Sequence, residues 1–247
     1  TIRASAGKGY RTPNSIMENS QVLVSSRRLI IEEAPKPEIT WNFGGSLVTT
    51  FDLFDKHVSI VADYFHTRFE NQLIYDQDQS SSALMIYNLD GRSFAHSFQL
   101  EGQYEIYKNL DLKAAYKYYH VQMTTNGKLQ QMPFVSRDRL FLNLAYATKY
   151  DKWKADFTWS WNGKKRLPDT SGSPEEFQRN EYSPDFSVIN AQVSRGYRWG
   201  SIYLGVENLL NFKQNDPIVN PENPFGNNFD ASMVWGPVAG RVVYAGI

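Results

Sequence analysis

Four histidines, His57, His66, His96 and His120, are the first residues to weigh for metal or acid–base chemistry. They are scattered, with no two at metal-ligand spacing on one element, and read as surface or interface residues. The carboxylate pairs Glu32-Glu33 and Glu175-Glu176 fall in stretches that read as loops, where such pairs are ordinarily solvated. Gly7-Lys8-Gly9 is too short to cradle a phosphate chain, and the chain has neither a nucleophile elbow nor a zinc helix. The Asn- and Asp-rich stretch 211–230 lacks the spacing of a calcium loop. Cysteine is absent, which removes thiolate sites and disulfides. The expectation is a non-enzyme without resident metal or cofactor. Binding residues are better supported: Arg27, Arg28, Tyr87, Arg92, Phe177, Phe225 and Trp235 lie in or beside long connections, where rims hold ligands. Packing of loop against loop accounts equally well for any one of them.

The elements that would position these residues are strands. From Phe94, the residues Phe94, His96, Phe98, Leu100, Gly102, Tyr104 and Ile106 alternate with Ala95, Ser97, Gln99, Glu101, Gln103 and Glu105. After a break at Tyr107-Lys108-Asn109, Leu110, Leu112, Ala114, Tyr116 and Tyr118 oppose Asp111, Lys113, Ala115, Lys117 and Tyr119, which predicts an antiparallel hairpin. The same alternation predicts strands over 1–11, 38–51, 58–75, 139–147, 153–162, 187–197, 201–209 and 240–247, with the anchor hairpin running from about residue 83. In 153–162, Trp153, Ala155, Phe157, Trp159 and Trp161 face one way, and Lys154, Asp156, Thr158, Ser160 and Asn162 the other. Stretches 14–37, 123–133, 164–184 and 211–235 read as loops.

About ten strands joined by alternating short and long connections fit an antiparallel membrane barrel, with tight turns on one rim and extended loops on the other. Three tryptophans on one strand face would be an unusual exposed patch in water and an ordinary one against lipid. Tyr104, Tyr116, Trp153, Trp159 and Trp161 are therefore expected in a lipid-facing girdle. The polar face, with Glu101, Lys113, Lys117, Lys154 and Asp156, is expected to face the lumen. Mean hydropathy is −0.50, and no apolar run approaches the ~18 residues of a membrane-spanning helix. Basic and acidic residues number 26 each, so the chain has no field to attract nucleic acid. The opening residues Thr1 to Ala6 read like the middle of a strand, and a longer protein is expected.

Several segments resemble TonB-dependent outer-membrane receptors, in the C-terminal half of their barrel. Gly7 to Pro13 is similar to the family's glycine–aromatic–arginine–proline segment, and Pro35-Lys36-Pro37-Glu38 to its lysine–proline–glutamate strand entry. Asn88 to Glu101 resembles the lead into a glycine–glutamate-type strand. Val206 to Asn211 is similar to the asparagine–leucine motif, and Gly240 to Gly246 to the closing strand. The run Phe229 to Pro237 resembles members from the Bacteroidota lineage. The resemblance implies a 22-stranded barrel closed by an N-terminal plug and opened by an inner-membrane motor, of which this chain would be about the last ten strands. It implies an outer-membrane location and import of a scarce chelate such as iron-siderophore, haem or cobalamin. The implied partners are lipid, the plug at the five lumen residues above, the TonB complex and a surface lipoprotein. Ile247 departs from the family's terminal aromatic, so a few residues are expected to follow it. The alternatives are a complete small barrel serving as pore or rim-site hydrolase, and a secreted all-β binding module.

Overall fold

The computed structural model describes residues 1–14 and 16–247; Ser15, inside the expected loop 14–37, lies outside the described residues. The strands are β1 (Ile2–Arg11), β2 (Arg28–Ile31), β3 (Glu38–Leu53), β4 (Lys56–Asn71), β5 (Leu73–Asp76), β6 (Ala83–Asn88) and β7 (Ser93–Tyr107). They continue as β8 (Leu110–Thr125), β9 (Lys128–Gln131), β10 (Asp138–Ala147), β11 (Trp153–Asn162), β12 (Phe186–Tyr197), β13 (Gly200–Glu207) and β14 (Val242–Gly246). One antiparallel wall runs β1-β3-β4-β7-β8-β10-β11-β12-β13-β14, with β9 folded onto β8. Its path is open, with β1 and β14 at the two ends.

Short turns close one edge of the wall. Phe54 and Asp55 both adopt positive φ (51° and 61°) between the paired Leu53 and Lys56, the geometry whose twist suits a two-residue hairpin. Asn109, at φ 62°, turns β7 into β8. At the other edge the connections span 12–37, 72–92, 126–137, 163–185 and 208–241.

The two faces of the wall follow the register. On one face Ile60, Gly102, Ala114, Leu142 and Trp159 form a cross-strand row, and beside it Ala62, Leu100, Tyr116, Leu140 and Trp161 form another. The opposite face carries Ser59, Gln103, Lys113, Asn143 and Thr158 in one row, and Asp63, Gln99, Lys117, Arg139, Asn162 and Phe186 in another.

Four sequence expectations are corrected in detail. Stretch 14–37 contains a 3-10 turn at Met17–Val24 and β2, which pairs in parallel with β6. The expected strand 58–75 is two, because β5 leaves the wall at Gln72 for a separate sheet ordered β2-β6-β5. Residue 83 therefore begins β6 in that sheet, and the anchor hairpin begins at Ser93. Stretch 123–133 holds an Asn126-Gly127 hairpin turn, with φ of 47° and 68°, between the paired Thr125 and Lys128. Asn-Gly favours that backbone, and it extends β8 beyond the wall.

Candidate functional site

The long connections interlock. Leu73, Leu84 and Ile86 form a fully enclosed apolar core beneath the β2-β6-β5 sheet, with Tyr75 packed against it. Burial of such side chains stabilises by about 1.5–3 kcal/mol each, which orders segments that have no wall neighbours. Two buried arginines tie the connections together. Arg27 donates from Nε to Asp230 at 3.1 Å and from Nη1 to the carbonyls of Gln77 and Ser80, joining connections 12–37, 72–92 and 208–241. Arg166 grips Asp78 through both Nη atoms at 3.0 and 2.8 Å and donates from Nε to the Gln131 carbonyl, joining 163–185 to 72–92 and 126–137. The bidentate grip of Arg166 fixes both distance and orientation, and Arg27 reaches three partners through two of its nitrogens, so each arginine acts as a tie. Asn208 does the same at the root of the longest connection. Its side chain receives the Phe212 N–H at 3.0 Å and donates to the carbonyls of Phe212 and Ala239.

Among the loop residues singled out in the sequence, Arg27 is one of these ties. Phe177 lines a small recess with Arg27, Ser81 and Asp230. Tyr87 donates its phenol to Asp76 at 2.7 Å; burial, and then this bond, push its pKa well above the ordinary value. Arg28 is exposed at the start of β2, and Phe225 is 99% exposed. Arg92 lies 5.8 Å over the ring of Phe94, whose register places it on the apolar face of the wall. Trp235 packs with Phe186 (6.0 Å between centroids) and Phe212 (6.3 Å), so connection 208–241 folds over the polar face.

That face is where charge stands free. Lys113 pairs with Glu101 at 2.8 Å, and Lys154 with Asp151 at 3.0 Å. Asp156 accepts from Asn143 at 2.9 Å. Lys117 and Arg139 are cross-strand neighbours on the polar face, Lys165 lies close to Arg139, and among the described residues none of the three has an ion-pair partner. Burial, and then the charge of Arg139, lower the Lys165 pKa; its Nζ donates to the Trp235 carbonyl at 2.5 Å and lies 5.6 Å over the Phe186 ring. Lys117 lies 5.6 Å over Tyr119. A basic, aromatic surface of this kind suits an anionic solute carrying apolar rings. Arg139 and Lys165 were not singled out in the sequence. Arg139 shares the parity of Asn143 on the polar side of its strand, which was the available signal; Lys165 had none.

On the apolar face Tyr104 and Trp153 stand towards the short-turn edge, and Tyr116 and Trp161 towards the long-connection edge. The Tyr104 hydroxyl reaches the Leu53 carbonyl and that of Tyr116 reaches Asp138, while Trp159 stands one row below Trp161. The histidines are a further correction. His66, His96 and His120 are direct cross-strand partners on this face, although they lie far apart in sequence. Among the described residues no group of three or more His, Cys, Asp or Glu is placed to hold a metal ion.

A family model described as TonB dependent receptor-like, beta-barrel matches residues 1–209. The chain belongs to the TonB-dependent receptors. No curated protein matches it in sequence. Among solved structures, the "Copper transporter OprC" has a TM-score of 0.66 and 15% identity, with 99% of this chain and 36% of that chain covered. The FrpB iron transporter from Neisseria meningitidis (F3-3 variant) gives 0.63 and 16%, covering 99% and 36%. The P. aeruginosa FpvA bound to a ferric pyoverdine gives 0.60 and 14%, covering 99% and 30%. The chain thus spans about a third of these receptors, and likeness at this identity concerns the fold. TonB-dependent receptors are outer-membrane transport proteins and not enzymes, which sets aside the hydrolase alternative. In a membrane barrel the apolar face of a wall meets lipid and the polar face lines the lumen.

Proposed function

We propose that this chain is the C-terminal part of the barrel of an active-uptake receptor for a metal chelate, of the iron-siderophore, haem or cobalamin kind, with an anionic chelate favoured. The observation that carries this is the unpaired trio Lys117, Arg139 and Lys165 beside Tyr119, Phe186 and Trp235 on the lumenal face. Cations left without carboxylates on one surface raise the local concentration of anions. The open sheet edges at β1 and β14 need partners, because lipid satisfies no backbone group; the remaining strands of the receptor supply them.

In the whole receptor, Glu101, Lys113, Lys117, Lys154 and Asp156 face the plug, and the TonB complex supplies the energy through segments outside this portion. Arg28 and Phe225, exposed on the outer connections, are available for first contact with the solute or a surface lipoprotein. The test is equilibrium binding of ferric chelates matched in size but differing in charge to the full-length receptor in detergent. Preference for the anionic members, weakening as salt rises, is expected; equal affinity for neutral and anionic members would reject the charge-based reading.

A further inference from the structure

The histidine row on the outward face has no place in solute capture. His66 and His96 have ring centroids 4.6 Å apart, and Phe94 lies 5.4 Å from His96 and 6.4 Å from His120. The Nδ1 atoms of His66 and His120 are shielded from solvent and have no hydrogen-bond partner, while His96 Nδ1 meets the Tyr64 hydroxyl at 2.9 Å. Arg68 and Gln122 flank Phe94 in the next row outward, with Arg92 over its ring. Tyr64, Phe98 and Tyr118 form the next row inward, an aromatic line of the kind that settles at a membrane–water interface.

Below that line the wall is hollowed. Ile60, Leu100, Tyr116, Leu140, Leu142 and Trp159 rim a groove of about 380 Å³ whose floor is Gly102 and Ala114. A Cβ at Gly102 would meet nothing within 4 Å, and its φ is not positive, so neither packing nor backbone demands glycine there. Six residues separate Gly102 from His96, roughly 20 Å along the strand at ~3.3 Å per residue and roughly 15 Å in depth for a tilted strand. That depth is about half a bilayer's hydrocarbon thickness, the span of one leaflet.

We propose that the outward face of β4, β7 and β8 is a binding track for one phosphorylated lipid of the outer leaflet. An acyl chain lies in the groove over Gly102 and Ala114, and the phosphate ester is held by the imidazoles of His66, His96 and His120 with Arg68 and Arg92. Charge complementarity selects the occupant. Two guanidiniums and three imidazoles stand above an apolar groove on one face, an arrangement that matches an anionic head on a hydrocarbon tail. The track is separate from the lumenal surface, so its success or failure is independent of the solute reading.

The experiment is native mass spectrometry of the full-length receptor in detergent, titrated with phosphatidic acid and with diacylglycerol of the same chains. One molecule of phosphatidic acid is expected to bind at least tenfold more tightly than diacylglycerol. Gly102→Leu, which places a side chain on the groove floor where a Cβ meets nothing within 4 Å, and the triple change His66→Gln, His96→Gln and His120→Gln are each expected to weaken it about tenfold with chelate binding unchanged. Equal affinity for the two lipids, or retention unaffected by both variants, would overturn the track. Displacement by millimolar inorganic phosphate would overturn the lipid assignment and leave a free-anion site. Groove-dependent dimers in place of a bound lipid would overturn it in favour of a second copy of the chain.

Discussion

Two arginines of the connections and two cations of the wall are used in opposite ways. Arg27 and Arg166, in connections that look built for ligand contact, are buried and spent on Asp230 and Asp78. Lys117 and Arg139, on strands, have no carboxylate partner among the described residues and stand on the polar face of the wall. Under the proposed function, pairing rather than membership of a loop decides which cation is available to a solute. A loop layer with little apolar core of its own needs its arginines for order, and a hydrogen-bonded wall does not.

Breaking a tie should have the largest effect. Arg166→Ala leaves Asp78 buried without its partner, a loss of about 3–5 kcal/mol. Hydrogen exchange should rise across 72–92 and 163–185 while the wall strands stay protected. Asn208→Ala removes bonds at the root of 208–241 and should cost about 1–3 kcal/mol. The expected sign is protease cleavage within that connection at unchanged barrel heat-modifiability.

The wall cations are expected to respond differently. Lys117→Gln should weaken an anionic chelate by roughly tenfold, about 1.4 kcal/mol, with no change in loop exchange. The smallest effect belongs to Tyr87→Phe, about 0.5–1.5 kcal/mol for one hydrogen bond. Because the folded state holds the Tyr87 phenol above its ordinary value of 10.0, its contribution is complete below that pH. It is lost as pH rises past 10 towards the folded value, since the unfolded chain ionises first. In an alkaline absorbance titration Tyr87→Phe should remove a late-ionising phase.

The wall was legible in the sequence because period-two alternation over ten or more residues has few competing readings. Phe94 to Tyr118 shows this, with both faces of β7 and β8 readable by parity alone. The small β2-β6-β5 sheet was not legible, since β2 is only Arg-Leu-Ile-Ile and its partner lies some fifty residues on. For the same reason loop basic residues were read as ligand candidates: an ion pair between Arg27 and Asp230 spans 203 positions and leaves no local trace. The histidine row was hidden by register, which aligns His66, His96 and His120 only once turn lengths are fixed. The asparagine–leucine motif pointed to Asn208, whose role as the tie closing 208–241 required coordinates.

The most direct measurement is the affinity of the full-length receptor for a trianionic ferric chelate, taken in parallel for wild type, for Arg166→Ala, and for Lys117→Gln combined with Arg139→Gln, alongside loop hydrogen exchange. The double variant is expected to lose roughly a hundredfold in affinity with native exchange, at about 1.4 kcal/mol per charge. Arg166→Ala is expected to loosen the loops first and to affect binding only through them. A double variant that binds like wild type would contradict the assignment of solute capture to the unpaired cations of the wall.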